Sequence, residues 1–180
     1  MQTALKRLGL VLGVVLLVWL AAPTPVSLAG GGVLVLLGMA VRVWAGGHLS
    51  RSTELTTSGP YAYLRDPLYL GRVFLIVGLC AMGSGWDWAL LLVGLAVFFG
   101  SYMPRKHRKE MARLEAHFGA AYTRYAAQVP SLVPRLTPYP EASRKPWSSK
   151  LFWRENREQY LLSAVVLVAL LLLLRYRYPC

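Results

Sequence analysis

The chain has 180 residues, of which 56% are hydrophobic and 16% charged. An average soluble domain carries about 25% charged residues, so a single soluble globule is excluded and a small polytopic membrane protein is indicated. Twenty Lys and Arg against eight Asp and Glu give a formal charge of +12; twelve of these bases and five of the acids lie from Arg105 to Glu158, a local net +7, which marks a cytoplasmic segment beside anionic lipid and argues against nucleic acid as partner.

Lys6 and Arg7 precede an apolar run over 8–22 that carries the marks of a signal peptide. A second apolar run, 26–46, follows after only Pro23-Thr24-Pro25, with no polar, cleavable interval, so the two are read as a retained helical hairpin. Gly9 and Gly13 at GxxxG spacing, and Gly30 to Gly32, are expected at close helix contacts. The second run, at about 20 residues, is long enough to cross a bilayer. Arg42 falls in its last turns, where it either snorkels to the interface or points inward to a site. His48 and Glu54 are the titratable groups of the next loop, and solvation is the simplest account of both.

The stretch from Thr56 to Gly71, TTSGPYAYLRDPLYLG, is too polar for a passive span and too aromatic for a spare loop. Gly59-Pro60 signals a turn, and Pro67 forces Asp66 out of helical geometry while suiting the first turn of a following helix. Tyr61, Tyr63 and Tyr69 surround the adjacent charges of Arg65 and Asp66, offering aromatic faces to a cation or flat ring and a guanidinium to a carboxylate. An interfacial aromatic belt with a local ion pair is the plainer alternative.

A third span is expected over 67–82 and a fourth over 86–103, with Trp86 and Trp88 as interfacial anchors around Asp87. Cys80 lies within an apolar run and Cys180 is the last residue, so neither a disulfide framework, a metal site nor a prenylation box is expected. Met111, Leu114, Phe118, Tyr122, Tyr125 and Val129 step by threes and fours and make one stripe of an amphipathic helix over 105–128, which Gly119 is placed to split. Glu110 borders that stripe, aimed at the protein or the headgroup layer, or else paired with Lys106 or Arg113. Pro130, Pro134, Pro138 and Pro140 impose an extended, turn-rich surface segment. The final apolar run, 160–174, is short for a full crossing at about 1.5 Å per residue, so little tilt is expected. The expectation is an all-α, single-domain fold with about five transmembrane helices and a cytoplasmic amphipathic and Pro-rich segment over 105–158. Lys6, Arg7, the 48–66 loop and that segment would share the cytoplasmic side, whereas Arg175 and Arg177 would lie outside.

The order RVWAGGHL, ELTTSGPYAYLRDPLYLG, a hairpin, then KEMARLEAHFGAAYTRYAAQVPSLVPRLTP resembles the isoprenylcysteine carboxyl methyltransferase and phospholipid methyltransferase superfamily of integral membrane enzymes, over roughly Arg42 to Pro138. Gly59, Pro60, Tyr61, Arg65, Pro67, Tyr69 and Gly71 match its first block, and Glu110, Leu114, Phe118, Gly119, Tyr122 and Tyr125 its second. Asp66 replaces the family histidine, as small polar residues do in a distant bacterial branch, and Met111 replaces the second glutamate of a pair that belongs to the cofactor and catalytic region.

The resemblance implies a helical enzyme of a bacterial inner membrane, its site facing the cytoplasm. It would transfer the methyl of S-adenosylmethionine to a lipophilic small molecule or lipid without a Rossmann-type domain. It further implies that Tyr61 and Tyr69 face the adenine or sulfonium, that Arg65 clamps the methionine carboxylate and that Glu110 takes the ammonium or ribose hydroxyls, with Gly59, Pro60, Asp66 and Pro67 shaping the same site. His48 is a candidate acceptor-side base, needed only if the acceptor is not already an anion. Two other functions remain open: a non-catalytic relative that binds lipid or a partner, suggested by Asp66 and Met111, and an NADPH-dependent reductase of sterol-reductase type, for which no glycine-rich phosphate loop is present.

Overall fold

The computed structural model describes residues 2–50 and 54–178, and the side chains of all of these except 2–7, 10 and 106. The side chains of Lys6, Arg7 and Lys106, and the whole of Cys180, therefore lie outside the described residues. Every regular element among those described is helical: α1 (Gln2–Leu20), α2 (Pro25–Gly46), α3 (Pro67–Gly83), α4 (Asp87–Val97), α5 (Met103–Phe118), α6 (Ala120–Gln128) and α7 (Glu158–Arg177). Among the described residues, three stretches are long and apolar enough to cross a membrane: α2, the continuous helix Asp87–Phe118 and α7. The apolar stretches Val11–Leu20 and Pro67–Gly83 are shorter.

The α2–α3 pair is the centre of the bundle. Thr24 and Ser27 form a reciprocal capping box at the start of α2, and the Ser27 hydroxyl also donates to the Met82 carbonyl, so the start of α2 meets the end of α3 and the two run antiparallel. Gly31 and Gly38 of α2, seven residues apart, face Gly78 and Gly71 of α3, also seven apart. A Cβ on Gly31 would stand 2.6 Å from the Gly78 carbonyl oxygen, and one on Gly38 2.9 Å from that of Gly71. Small residues at a repeat of seven let two backbones run in contact along a left-handed seam. Gly9, Gly13, Gly30 and Gly32, expected at such contacts from their spacing, have nothing within 4 Å of a Cβ position. Of the expected glycines only Gly31 is packed, because α1 lies looser against the bundle and α2 turns the flanking glycines outward. Val35, Leu75 and Met82 join Ala21 and the α7 residues Val165, Val168 and Leu172 in the apolar core.

Pro104 does not end the fourth helix. A π turn over Phe98–Tyr102, in which the Met103 amide donates to the Phe98 carbonyl, passes directly into α5, giving 32 helical residues, about 48 Å. Gly119, at φ +51, then separates α5 from α6 as its position in the stripe predicts. The last helix is longer than its apolar run: α7 takes in Glu158 and Gln159 at one end and Arg175 to Arg177 at the other, and its 20 residues reach about 30 Å, the thickness of a bilayer core. Trp86 and Trp88 are exposed at their end of the bundle, but Asp87 between them is completely buried against Gly83.

Candidate functional site

The aromatic–charged stretch closes the opposite end of the bundle. A 3₁₀ turn over Gly59–Ala62 leads into it, Asp66 stands at the N-cap of α3, and Pro67 occupies the first helical position. Gly59 has φ +58, and a Cβ there would run into the His48 ring, so glycine is required twice over.

The Pro-rich segment fastens this turn in place. The amides of Arg65 and Asp66 donate to the carbonyls of Pro130 and Ser131 (2.9 and 3.1 Å), and those of Arg135 and Tyr139 donate to Tyr63 and Ala62 (2.9 and 2.8 Å). The Tyr125 hydroxyl donates to the Tyr61 carbonyl at 2.7 Å, and its ring meets Tyr139 edge-on. Burial pushes the Tyr122 and Tyr125 phenols up from their ordinary range, keeping both protonated and Tyr125 a donor. The apolar stripe of α5 and α6 packs into the same cluster.

Between this fastened turn and α5 lies a cavity of about 410 Å³, within the roughly 300–1,000 Å³ typical of small-molecule sites. Tyr61, Arg65, Asp66, Pro67 and Tyr69 line one wall, His107, Glu110, Met111 and Leu114 the facing one, and Tyr122 and Tyr125 contribute from α6. Tyr69 packs against Phe98, and Arg72 stacks over both Tyr69 and Tyr102 while donating to the Tyr102 hydroxyl at 2.9 Å. The π turn sets this aromatic face.

The floor is an ion pair. Arg42 donates through Nε (3.0 Å) and Nη2 (2.6 Å) to Glu158 Oε2 and through Nη1 to the Leu68 carbonyl (2.9 Å), with both side chains 4% exposed. It joins α2, α3 and α7 beneath the cavity. Asn156 and Trp147 satisfy the last carbonyls of α2 at Gly46 and Val43. Arg42 is therefore the inward-pointing arginine of the two possibilities open in the sequence.

Of the residues expected at the site, Tyr61, Arg65, Asp66, Pro67, Tyr69 and Glu110 come together around one cavity. Gly59, Pro60 and His48 do not reach its wall. Gly59 and Pro60 shape the turn behind it, and His48 holds that turn by pairing Nδ1 with the Ser58 hydroxyl at 3.1 Å. Burial lowers the proton affinity of His48, which fits a neutral hydrogen-bonding role outside the cavity. Glu54, with solvation its simplest expectation, pairs with Lys145. Glu110 is exposed and makes no ion pair with any described residue, Arg113 included; the side chain of Lys106, the other expected partner, lies outside the described residues. Arg65 uses Nη1 for the Ala126 carbonyl at 3.3 Å, leaving its buried Nε without a partner among the described residues.

Two cavity residues, Glu158 and His107, and one residue that holds the cavity wall, Ser131, were not singled out from the sequence. Glu158 opens the last helix 116 positions from Arg42; the available signal was an arginine in an apolar span, which demands a partner without naming it. His107 was hidden in a basic run, although its spacing of three from Glu110 and four from Met111 puts all three on one helix face. Ser131, in the Pro-rich segment, donates to Asp66 Oδ2 at 2.5 Å.

The family model for phospholipid methyltransferases matches residues 26–120, more than half of the chain and both walls of the cavity. The chain belongs to the phospholipid methyltransferase family. Two curated relatives are also similar. The nickel-cobalt-cadmium resistance protein NccN of Alcaligenes xylosoxydans xylosoxydans is 37% identical over 98 residues, 53% of this chain and 44% of the relative. The cobalt-zinc-cadmium resistance protein CzcN of Cupriavidus metallidurans is 32% identical over 118 residues, 64% of this chain and 53% of the relative. The chain thus spans about half the length of the curated relatives it matches. No solved structure matches. Among the described residues of this phospholipid methyltransferase family member, no group of three or more His, Cys, Asp and Glu side chains could hold a metal ion.

Proposed function

We propose that this protein transfers a methyl group from S-adenosylmethionine to a lipophilic acceptor drawn from the bilayer. The observation that carries the reading is one cavity lined by Arg65, whose buried Nε–H has no partner among the described residues, by tyrosine faces and by the carboxylate of Glu110, which makes no ion pair with a described residue. A buried donor left unsatisfied costs about 1–3 kcal/mol and is an argument for a ligand. The methionine carboxylate of the cofactor suits Arg65, its ammonium or ribose hydroxyls suit Glu110, and its adenine or sulfonium suits the Tyr61 and Tyr69 side of the cavity. When bound, the cofactor supplies an electrophilic methyl on a sulfonium sulfur. The chain's contribution is to hold donor and acceptor in line and to exclude water.

The cavity sits where apolar helices end, and the basic surface of α5 and the following segment suits the anionic face of a membrane, so an acceptor with an apolar tail would reach it from the lipid. The metal-resistance names belong to the two relatives, and the methyl-transfer reading rests on the family and the cavity.

The test is calorimetric binding of S-adenosylmethionine, S-adenosylhomocysteine and NADPH to the purified protein in detergent. Saturable binding of the two adenosyl compounds but not NADPH is expected, weakened about 10- to 100-fold in Arg65→Ala and in Glu110→Ala, as for the loss of one charge-assisted bond. A folded sample that binds neither adenosyl compound would end the assignment.

A further inference from the structure

Asp66 is held more firmly than a helix cap requires. Its amide donates to the Ser131 carbonyl, the neighbouring Arg65 amide donates to Pro130, and the Ser131 hydroxyl donates to Asp66 Oδ2 at 2.5 Å. It makes no side-chain capping bond to α3. The same Oδ2 instead faces His107 Nδ1 of α5, 3.7 Å away across the cavity, with side-chain exposures of 16% for Asp66 and 24% for His107. Both side chains line the cavity, and His107 Nε2 makes no hydrogen bond or ion pair with a described residue.

We propose that His107, oriented by Asp66, is the proton acceptor of this site. This rests on the methyl-transfer reading above and deepens it: the acceptor is a molecule whose nucleophilic atom must lose a proton, such as a thiol, a hydroxyl or an amine, and not a carboxylate. A carboxylate on Nδ1–H places the lone pair on Nε2, fixing the tautomer a base needs. At 3.7 Å the pair lies beyond hydrogen-bond distance, so in the ligand-free site the carboxylate biases the tautomer through its charge, as contacts of this kind often shorten only in a substrate complex. The other ionisable groups that line the cavity with the imidazole include Arg65, Arg72 of α3, Lys109, Glu110 and Arg113 of α5, and Tyr122 and Tyr125 of α6; Arg72 is engaged by two tyrosine rings and the Tyr102 hydroxyl, and among the described residues only Asp66 lies within ion-pair distance of His107. His48 lies outside the cavity with Nδ1 occupied, so it does not compete for the role.

The step balances. As the acceptor's lone pair forms its bond to the methyl carbon, the carbon–sulfur bond of the sulfonium donor breaks and its electron pair stays on sulfur. The acceptor's proton passes to His107 Nε2. Positive charge thereby moves from sulfur to an imidazolium beside the Asp66 carboxylate.

Nitrogen-15 NMR of histidine-labelled protein, at a pH of about 8 where an ordinary imidazole is neutral, reads the pair without turnover. The three histidines are assigned with His48→Gln, His107→Gln and His117→Gln. His107 is expected as the Nδ1–H tautomer in the wild type, and as the commoner Nε2–H tautomer in Asp66→Ala. With a long-chain thiol, a long-chain amine and a fatty acid as acceptor probes, methylation of the thiol or the amine is expected. His107→Gln should lower that turnover about 10²- to 10⁴-fold while leaving S-adenosylhomocysteine affinity unchanged. A wild-type Nε2–H tautomer, a His107→Gln turnover near wild type, or methylation of the fatty acid alone would each overturn the proposal. A wild type that binds no adenosyl compound removes the methyl-transfer reading and this base with it, and the tautomer then tells that failure apart from a failure of the His107–Asp66 pair.

Discussion

Glu158 receives two bonds from Arg42 inside the bundle, and the consequence of removing it differs from that of removing both partners. Two charges brought out of water lose most of their hydration, so the pair adds little net stability, yet a lone buried guanidinium is severely unfavourable. Glu158→Ala is therefore expected to destabilise the protein by about 3–5 kcal/mol, and Arg42→Met with Glu158→Leu to recover most of the loss; unfolding in detergent would measure both. His48 makes a second prediction at this scale. Burial holds its proton affinity below that of the unfolded chain, so above about pH 6.5 the imidazole is neutral in both states and has no effect. As pH falls through that value the unfolded state takes up the proton first, and stability is lost until the folded pKa is passed. Thermal unfolding should show this acid-side loss in the wild type and less of it in His48→Gln. An unchanged slope would remove the assignment.

At the scale of the element, the glycine seam determines how closely α2 and α3 approach. Gly38 and Gly71 meet directly above the Arg42 stem, since a Cβ on Gly71 would stand 2.6 Å from Arg42 Cγ. Gly71→Leu should therefore cost about 1–3 kcal/mol or more through overpacking and also displace the cavity floor, whereas Gly32→Leu, with open space around its Cβ position, should be neutral. Detergent unfolding midpoints compare the two. Much of this level was legible beforehand: the α5–α6 stripe, its division at Gly119 and the start of α3 at Pro67 all follow from local spacing and backbone chemistry. The continuity of the helix through Pro104 was not, because a π turn is a response to packing around Phe98 and Tyr102 and leaves no local signature. The fastening of the 62–66 turn by the Pro-rich segment was also hidden, since its backbone bonds join residues more than 60 positions apart.

For the whole molecule, the Ser27–Met82 contact and the Ala22 amide on the Gly83 carbonyl bring the 23–25 and 83–87 turns together at one end. Neither turn contains Lys or Arg. The basic 105–158 segment and the cavity share the other end. The distribution of Lys and Arg predicts that this end faces the cytoplasm. Single cysteines introduced on a background with Cys80 and Cys180 replaced by Ala provide the check. One at Trp86 should react with a membrane-impermeant maleimide added outside intact cells, and one at Arg108 only after the cytoplasmic side is opened; the reverse pattern would invert the topology.

The sequence by itself determined the membrane class, the helical architecture, the amphipathic stripe and the charged aromatic stretch, because these depend on hydropathy, helical period and the backbone limits of proline and glycine, all of which act within a few turns. The tertiary structure alone decided which charges meet. Arg42 finds Glu158, Asp66 finds Ser131 and His107, and His48 turns away to Ser58, because a buried polar group takes whatever partner chain closure places beside it, however distant in the sequence.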